Sequence, residues 1–304
     1  MQRSAPIWLR NYIDEIAPKL HTGEVSTYLP ELAAAGSGDF GVALYLGEGD
    51  QVSCGSEHRF TIQSVIKVIT LLLAIGEHGL DATFSRVGCD QAYGAYDDVS
   101  NYDRAKSRTA NPFVNAGALV TLDMLSGTGS EGLVDQVLAC TRYLTGNPNL
   151  QVNMSVAKSE YDLSLRNRSI AYHLASHQSM SHTVDDLLWA YCQICSIEVD
   201  VLDLAHFASV LSRDTGIASE VLEVASEDLG AVRRLLLAVG MYEASSEYAF
   251  RVGVPSKGGV SGSMIGVLPG IGGVGLYGPA LDRTGNSVGG IEMMKLLARH
   301  FKVI

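Results

Sequence analysis

The segments of this chain with the strongest β-strand character lie at its two ends, and a long stretch of helical pattern separates them. Near the N-terminus, residues 40–46 and 51–54 flank a Gly-Glu-Gly-Asp turn, which predicts a hairpin. Near the C-terminus, β-prone runs bounded by glycine occupy residues 248–254, 263–268 and 273–277. If these strands meet in one sheet, the helical stretch between them is an insertion, so the sequence predicts an α+β fold.

Apolar residues at helical spacing predict the helices of the inserted stretch. These helices are expected at residues 116–125, 133–143, 184–194, 201–211 and 231–239. Further helices are expected at residues 6–20, 24–35, 61–79 and 287–301. We therefore predict a single domain over residues 1–304, with an α/β lobe formed by residues 1–80 and 240–304 and a helical lobe formed by residues 81–239.

The acidity of the chain argues against several classes of partner. Its formal net charge of −11 repels the phosphate backbones of nucleic acids. The sequence has no long basic run, no apolar stretch of membrane-spanning length and no secretory signal, so we expect no membrane binding and a cytoplasmic location. Five cysteines favour reduced thiols over a disulfide framework. The scattered histidines lack metal-binding spacing, so we expect no metal.

The first candidate for chemistry is the pair Ser64 and Lys67 at the start of the apolar helix 61–79. Side chains three residues apart share a helix face, so the amine can reach the hydroxyl. A serine that caps the helix beside a solvated lysine would show the same spacing. Two apolar residues flank Lys67 on each side, however, and a lysine in such a run is expected to be buried. Burial lowers the pKa of an amine and makes it available as a base.

Two other segments can contribute to a site. Lys257 is followed by glycines, so a strand there can approach a ligand closely, and one of its backbone N–H groups can complete an oxyanion hole. A glycine-rich surface turn is the alternative. Asn115 falls at a predicted helix start, where it serves either as an N-cap or as a ligand for a polar substrate.

Several motifs occur in an order that resembles the serine-dependent glutaminase family. They include Phe-Thr-Ile-Gln-Ser-Val-Ile-Lys at residues 60–67, Asn-Pro-Phe-Val-Asn-Ala-Gly-Ala at 111–118 and Lys-Gly-Gly-Val-Ser-Gly at 257–262. Matching stretches also lie at residues 23–32, 159–160, 166–167, 191–196 and 240–242, so the resemblance spans nearly the whole chain.

The resemblance implies a fold, an activity and roles for individual residues. The fold is similar to that of β-lactamases and transpeptidases, with an antiparallel sheet lobe flanked by helices and an inserted all-helical lobe. The activity is hydrolysis of L-glutamine to L-glutamate and ammonia, without a cofactor, in a homodimer or homotetramer. The implied nucleophile is Ser64, the base is Lys67, the neighbouring phenols are Tyr28 and Tyr242, the oxyanion donors are the N–H groups of Ser64 and Val260, and the residues that bind the amino-acid head are Asn115, Glu160, Asn167 and Tyr191.

This sequence departs from the family pattern at three places. Ile66 and Gly258 each stand where the family has a serine, and residues 89–98 stand where a Pro-Ser-Gly and a Phe-Asn segment are expected. The last departure leaves two alternatives open. One is another serine amidase or a β-lactam-type acyl transferase, and the other is an inactive homologue that only binds a small molecule.

Overall fold

The computed structural model describes residues 2–3, 5–47, 49–178 and 180–303, with the backbone alone for residues 2–3. In that part of the chain the helices are α1 Ile7–Leu20, α2 Pro30–Ala33, α3 Ile66–His78, α4 Leu80–Arg86, α5 Asn115–Asp123, α6 Gly129–Thr145, α7 Met154–Leu163, α8 Leu165–His177, α9 Val184–Cys195, α10 Val201–Leu211, α11 Ser226–Val239, α12 Ser245–Arg251 and α13 Val288–His300. The strands are β1 Gln2–Arg3, β2 Glu24–Val25, β3 Gly41–Leu46, β4 Asp50–Gly55, β5 Phe60–Thr61, β6 Tyr102–Asp103, β7 Arg108–Thr109, β8 Glu198–Val199, β9 Ile217–Ala218, β10 Glu223–Val224, β11 Ser256–Gly258, β12 Ser263–Leu268, β13 Gly272–Tyr277 and β14 Ala280–Leu281.

Strands from both ends of the chain form one six-stranded sheet. Its order is β1-β4-β3-β13-β12-β11, so β3 from the N-terminal part lies directly beside β13 from the C-terminal part. Each pair from β4 to β11 is antiparallel, and β1 runs parallel to β4. The predicted hairpin and the predicted α+β class are confirmed.

The two faces of the sheet support different apolar cores. On one face, Val42 and Leu44 of β3 and Val274 of β13 pack with α1 and α13. On the other face, α10 lies along β13, β3 and β12. The larger core on this side includes α3, α5, α6 and α9, which are the helices that carry the middle of the chain.

The glycines of β13 set the distance between the sheet and α10. Gly275 faces α10, and a Cβ atom added to it would overlap the backbone carbonyl oxygen of Val201. Gly273 meets the backbone of the same helix in the same way, at Ala205 and Ser209. Since successive strand residues point to opposite faces, Val274 between them still packs into the core on the other side.

Replacing Gly275 with alanine should therefore destabilise the fold. The new methyl group forces α10 away from β13, and overpacking of this kind costs about 3 kcal/mol. Urea unfolding would measure the loss. Gly230→Ala is the matched control, because Gly230 lies inside helix α11 and meets only the ends of arginine side chains. That variant should keep its stability or gain up to about 1 kcal/mol, and equal effects at the two positions would contradict the close-packing argument.

Two local predictions were wrong. Residues 248–254 were predicted as a strand, but most of this run belongs to α12, Ser245–Arg251. A short apolar run fits the period of a strand and the period of a helix equally well. Phe250 is 88% exposed, so this run does not form a buried strand. The third C-terminal strand is instead β11. Residues 24–35 were predicted as one helix, but only α2 is helical there, and β2 pairs with β14.

The sequence also gave no indication of α7 and α8, which have few apolar positions and lie next to each other in the chain. The division into two lobes remains a prediction, with one lobe formed by residues 1–80 and 240–304 and the other by residues 81–239. Among the described residues, each helix is too short or too polar to traverse a lipid bilayer.

Candidate active site

Ser64 lies in a tight 3-10 turn that leads directly into α3. The turn covers Gln63–Val65, and Gln63 adopts a φ of +47°, which is uncommon for a residue with a side chain. Two hydrogen bonds hold the loop 259–263 against the segment before the turn. Ser261 donates to the carbonyl of Thr61 at 2.7 Å, and Ser263 donates to that of Ile62 at 2.9 Å. The end of β11 is therefore fixed beside Ser64.

Lys67 is buried on the first turn of α3, as its apolar neighbours predicted. Only 1% of the residue is exposed. Its Nζ donates to the carbonyl of Phe113 at 3.1 Å and to Oδ1 of Asn115 at 2.6 Å. Burial lowers the pKa of the amine to about 8, although the carboxylates of Glu160 and Asp97 act in the opposite direction. With this pKa, about a tenth of the amine is neutral at pH 7.

Tyr242 closes the other side of Ser64. Its hydroxyl contacts the Ser64 side chain and lies 3.4 Å from the carbonyl oxygen of Gly258. Burial raises the pKa of the phenol, so it stays protonated. Tyr242 also has a positive φ, +54°. Lys257, a second buried lysine, places its Nζ 3.8 Å from the centre of the Tyr242 ring. Backbone strain at Gln63 and Tyr242, on both sides of one hydroxyl, is typical of functional sites.

A cavity of about 520 Å³ opens in front of Ser64. Among the residues predicted for the site, those that line it are Ser64, Tyr28, Val260, Asn115, Glu160, Asn167 and Tyr191. Lys67 and Tyr242 are not on its surface but lie behind Ser64 and Asn115. Within the described residues, the N–H of Val260 has no hydrogen-bond acceptor, so it is available to a ligand. The structure thus brings all the predicted residues to one place.

The far end of the cavity is polar and buried. Burial raises the pKa of Glu160 to about 7, while a hydrogen bond from Gln63 and the charge of Lys67 lower it. Gln63 Nε2 lies 3.4 Å from Oε2 of Glu160. Asn115 donates from Nδ2 to Oδ1 of Asn167 at 2.7 Å and accepts from Lys67. This network links the buried amine to the polar end of the cavity.

Comparison with known proteins identifies the family. The glutaminase family model matches residues 23–304. The glutaminase of Clostridium tetani is 34% identical over 299 residues, which is 97% of this chain and 97% of the relative. Glutaminase 1 of Halalkalibacterium halodurans is 37% identical over 283 residues, which is 91% of each chain. This chain belongs to the glutaminase family.

Solved structures of the family share this fold. One of them is the covalent complex of a Bacillus subtilis glutaminase with 5-oxo-L-norleucine, formed by reaction with 6-diazo-5-oxo-L-norleucine. It has a TM-score of 0.85 and 27% identity, and the match covers 97% of this chain and 98% of that one. The architecture is the β-lactamase-like fold that the resemblance implied.

Several residues that line the cavity were not predicted from the sequence. Tyr96 stacks on Tyr242 with 4.7 Å between ring centres, and its carbonyl accepts from the N–H of Asn115 at 2.8 Å. Asp97 pairs with Arg166 at 2.6 Å on the cavity wall. The expected departure of residues 89–98 from the family pattern, which remains a prediction, was the signal that pointed to the segment containing Tyr96 and Asp97.

Proposed function

We propose that this chain hydrolyses L-glutamine to L-glutamate and ammonia through a γ-glutamyl ester on Ser64, with Lys67 as the general base. The observation that carries the proposal is the buried amine of Lys67, one helical turn from the hydroxyl that faces the cavity. An amine with a pKa of about 8 suits proton transfer near neutral pH.

The hydrogen bonds of Lys67 favour its action as a base. A neutral amine has two hydrogens and one lone pair, and the carbonyl of Phe113 and Oδ1 of Asn115 accept two hydrogens. The lone pair then remains for the proton of Ser64. As the Ser64 oxygen attacks the side-chain amide of glutamine, Lys67 takes that proton, and it or a nearby phenol returns a proton to the departing ammonia.

The neighbours of Ser64 would stabilise the oxyanion and transfer a proton to the leaving group. The free N–H of Val260 and the N–H of Ser64 would donate to the carbonyl oxygen as it becomes negative. Tyr242 remains a neutral phenol in contact with Ser64, so it can relay a proton. Tyr28 lines the same cavity and would act on the leaving amine.

The polar end of the cavity suits the amino-acid head of glutamine. The carboxylate of Glu160 would pair with the α-ammonium group, and amide and phenol donors from Asn115, Asn167 and Tyr191 would bind the α-carboxylate. The Bacillus subtilis relative reacts covalently with 6-diazo-5-oxo-L-norleucine, which matches glutamine as far as the side-chain carbonyl and carries a diazomethyl group in place of the amide nitrogen. This supports a nucleophile at the γ-carbonyl position.

Release of ammonia and glutamate from glutamine by the purified chain tests the proposal. We expect rapid release from glutamine, little from asparagine, which is one methylene shorter, and no turnover of the β-lactam nitrocefin. Turnover of nitrocefin without glutamine hydrolysis would point to the acyl transferase alternative. Binding of glutamine without ammonia release would point to the inactive homologue.

A further inference from the structure

A second cavity of about 660 Å³ adjoins the first one. Five residues line both cavities and form their common wall: Ser26, Tyr96, Asp97, Arg166 and Val260. Val260 is the proposed oxyanion donor, and Tyr96 stacks on the Tyr242 ring beside Ser64. The described lining of the second cavity contains none of the residues proposed to bind the amino-acid head. The second cavity therefore lies beside the first along a wall that includes Val260, the proposed donor to the carbonyl of the amide that would break.

Ammonia, the leaving group of glutamine, needs no space of this size. A substituent on the γ-amide nitrogen would extend away from the head-binding end, towards Val260 and the second cavity. We propose that this chain also hydrolyses N-substituted γ-glutamyl amides, that the second cavity holds the leaving amine, and that leaving amines with a second, positively charged group are preferred. This inference rests on the proposed function, since it uses the same Ser64 chemistry.

The charges around the second cavity select the kind of amine. Its lining carries four carboxylates and two guanidinium groups: Glu24, Asp97, Glu243 and Asp282 against Arg166 and Arg283. Asp97 and Arg166 neutralise each other at 2.6 Å. In the part of the chain that the structure describes, Glu24 and Glu243 are exposed and form no ion pair, so their charges are available to a ligand. An ammonium group gains from this field and a carboxylate loses.

Part of the wall between the two cavities, Tyr96 and Asp97, comes from the segment that was expected to depart from the family pattern, whereas Ser26, Arg166 and Val260 lie in matching stretches. Ala95, Tyr96 and Asp97 belong to the segment 89–98, and all three line the second cavity. The backbone of Tyr96 is held by Asn115, and Asp97 is held by Arg166. Two residues of the segment 89–98 therefore border both the proposed reaction site and the second cavity.

The proposed reaction follows the same two steps as glutamine hydrolysis. The Ser64 oxygen forms a bond to the γ-carbonyl carbon, and the bond from that carbon to the amide nitrogen breaks. The amine leaves with the proton that Lys67 took from Ser64. One water molecule then cleaves the γ-glutamyl ester, so the products are one glutamate and one free amine.

Glutamate release from three substrates tests the inference: glutamine, the γ-glutamyl amide of 1,4-diaminobutane, and the γ-glutamyl amide of butylamine. The last two differ in one charged group at the same chain length. We expect both amides to be hydrolysed, with kcat/KM about fivefold higher for the diamine derivative. This preference should decrease as the salt concentration is raised from about 0.05 M to about 0.5 M, because salt screens exposed charges.

The variant Glu24→Gln/Glu243→Gln should reduce the preference for the charged amide by about fivefold. Glu220→Gln is the matched control, because Glu220 is an exposed carboxylate that lines neither cavity, and it should leave the preference intact. Hydrolysis of glutamine with no hydrolysis of either amide would overturn this inference alone. Equal rates on the two amides would overturn the charge preference. Failure on all three substrates would instead contradict the proposed function.

Discussion

Replacing Ser64 with alanine is expected to lower kcat/KM for glutamine by at least ~10³-fold, which is the scale of losing a catalytic nucleophile. The change removes one oxygen atom from a residue that is only 8% exposed, and the backbone of the turn is held by other residues. Stability should therefore change by no more than about 1 kcal/mol. Ammonia release measures the activity, and thermal unfolding measures the stability.

Ser209→Ala is a matched control for this variant. Ser209 is also a buried serine, but its hydroxyl donates to the carbonyl of His206 within α10, away from the cavity. It should keep the wild-type rate. Mass spectrometry after exposure to 6-diazo-5-oxo-L-norleucine provides a second readout, because the wild type should gain a covalent adduct and Ser64→Ala should not. Full activity in Ser64→Ala, or an unchanged adduct, would exclude Ser64 as the nucleophile.

Replacing Lys67 with methionine should lower kcat by at least ~10³-fold, because it removes the only proposed base while keeping the buried volume. The carbonyl of Phe113 and Oδ1 of Asn115 lose a donor, so a stability cost of about 1–3 kcal/mol is expected as well. A variant that folds but does not hydrolyse glutamine would separate the loss of the base from the loss of stability. Small primary amines should restore part of the activity of Lys67→Ala, and no rescue is expected for Ser64→Ala.

The pH dependence of the wild type gives an independent test of Lys67. A general base must be neutral, and its pKa is about 8, so kcat/KM should rise with pH up to about 8 and level off above it. Glu160 must be ionised to bind the α-ammonium group, and its pKa of about 7 adds a second loss of activity below that value. A rate that is constant from pH 6 to 9 would contradict both assignments.

Much of the fold could be predicted because strands, turns and helices are indicated by residues that lie close together in the sequence. The apolar, β-prone run at 40–46 and the glycine boundaries at 263–268 and 273–277 needed no knowledge of the partner strands. The run around Lys67 likewise indicated burial before any contact was known. The short run 248–254 failed because a few apolar residues fit a strand and a helix equally well, and only packing against the rest of the chain separates them.

The candidate site could be predicted only as far as the family motifs reached. The resemblance named residues on both sides of the cavity, but it did not indicate Tyr96 or Asp97, since they lie in a segment without a matching motif, and it assigned no role to Arg166 of the matching stretch 166–167. The positive φ values of Gln63 and Tyr242 also had no sequence signal, because glycine, the usual residue for that conformation, is absent from both positions.

By itself, the sequence of this protein indicated the strands of the sheet near both ends of the chain, most of the helices between them, its acidity and the buried position of one lysine. Tertiary structure decided what that lysine can do. Its two acceptors, Phe113 and Asn115, lie more than forty residues away in the chain, and Glu160, one of the partners of Gln63, is 97 residues away from it. Periodicity is a property of adjacent residues, whereas a site depends on contacts that only the packing of distant segments creates.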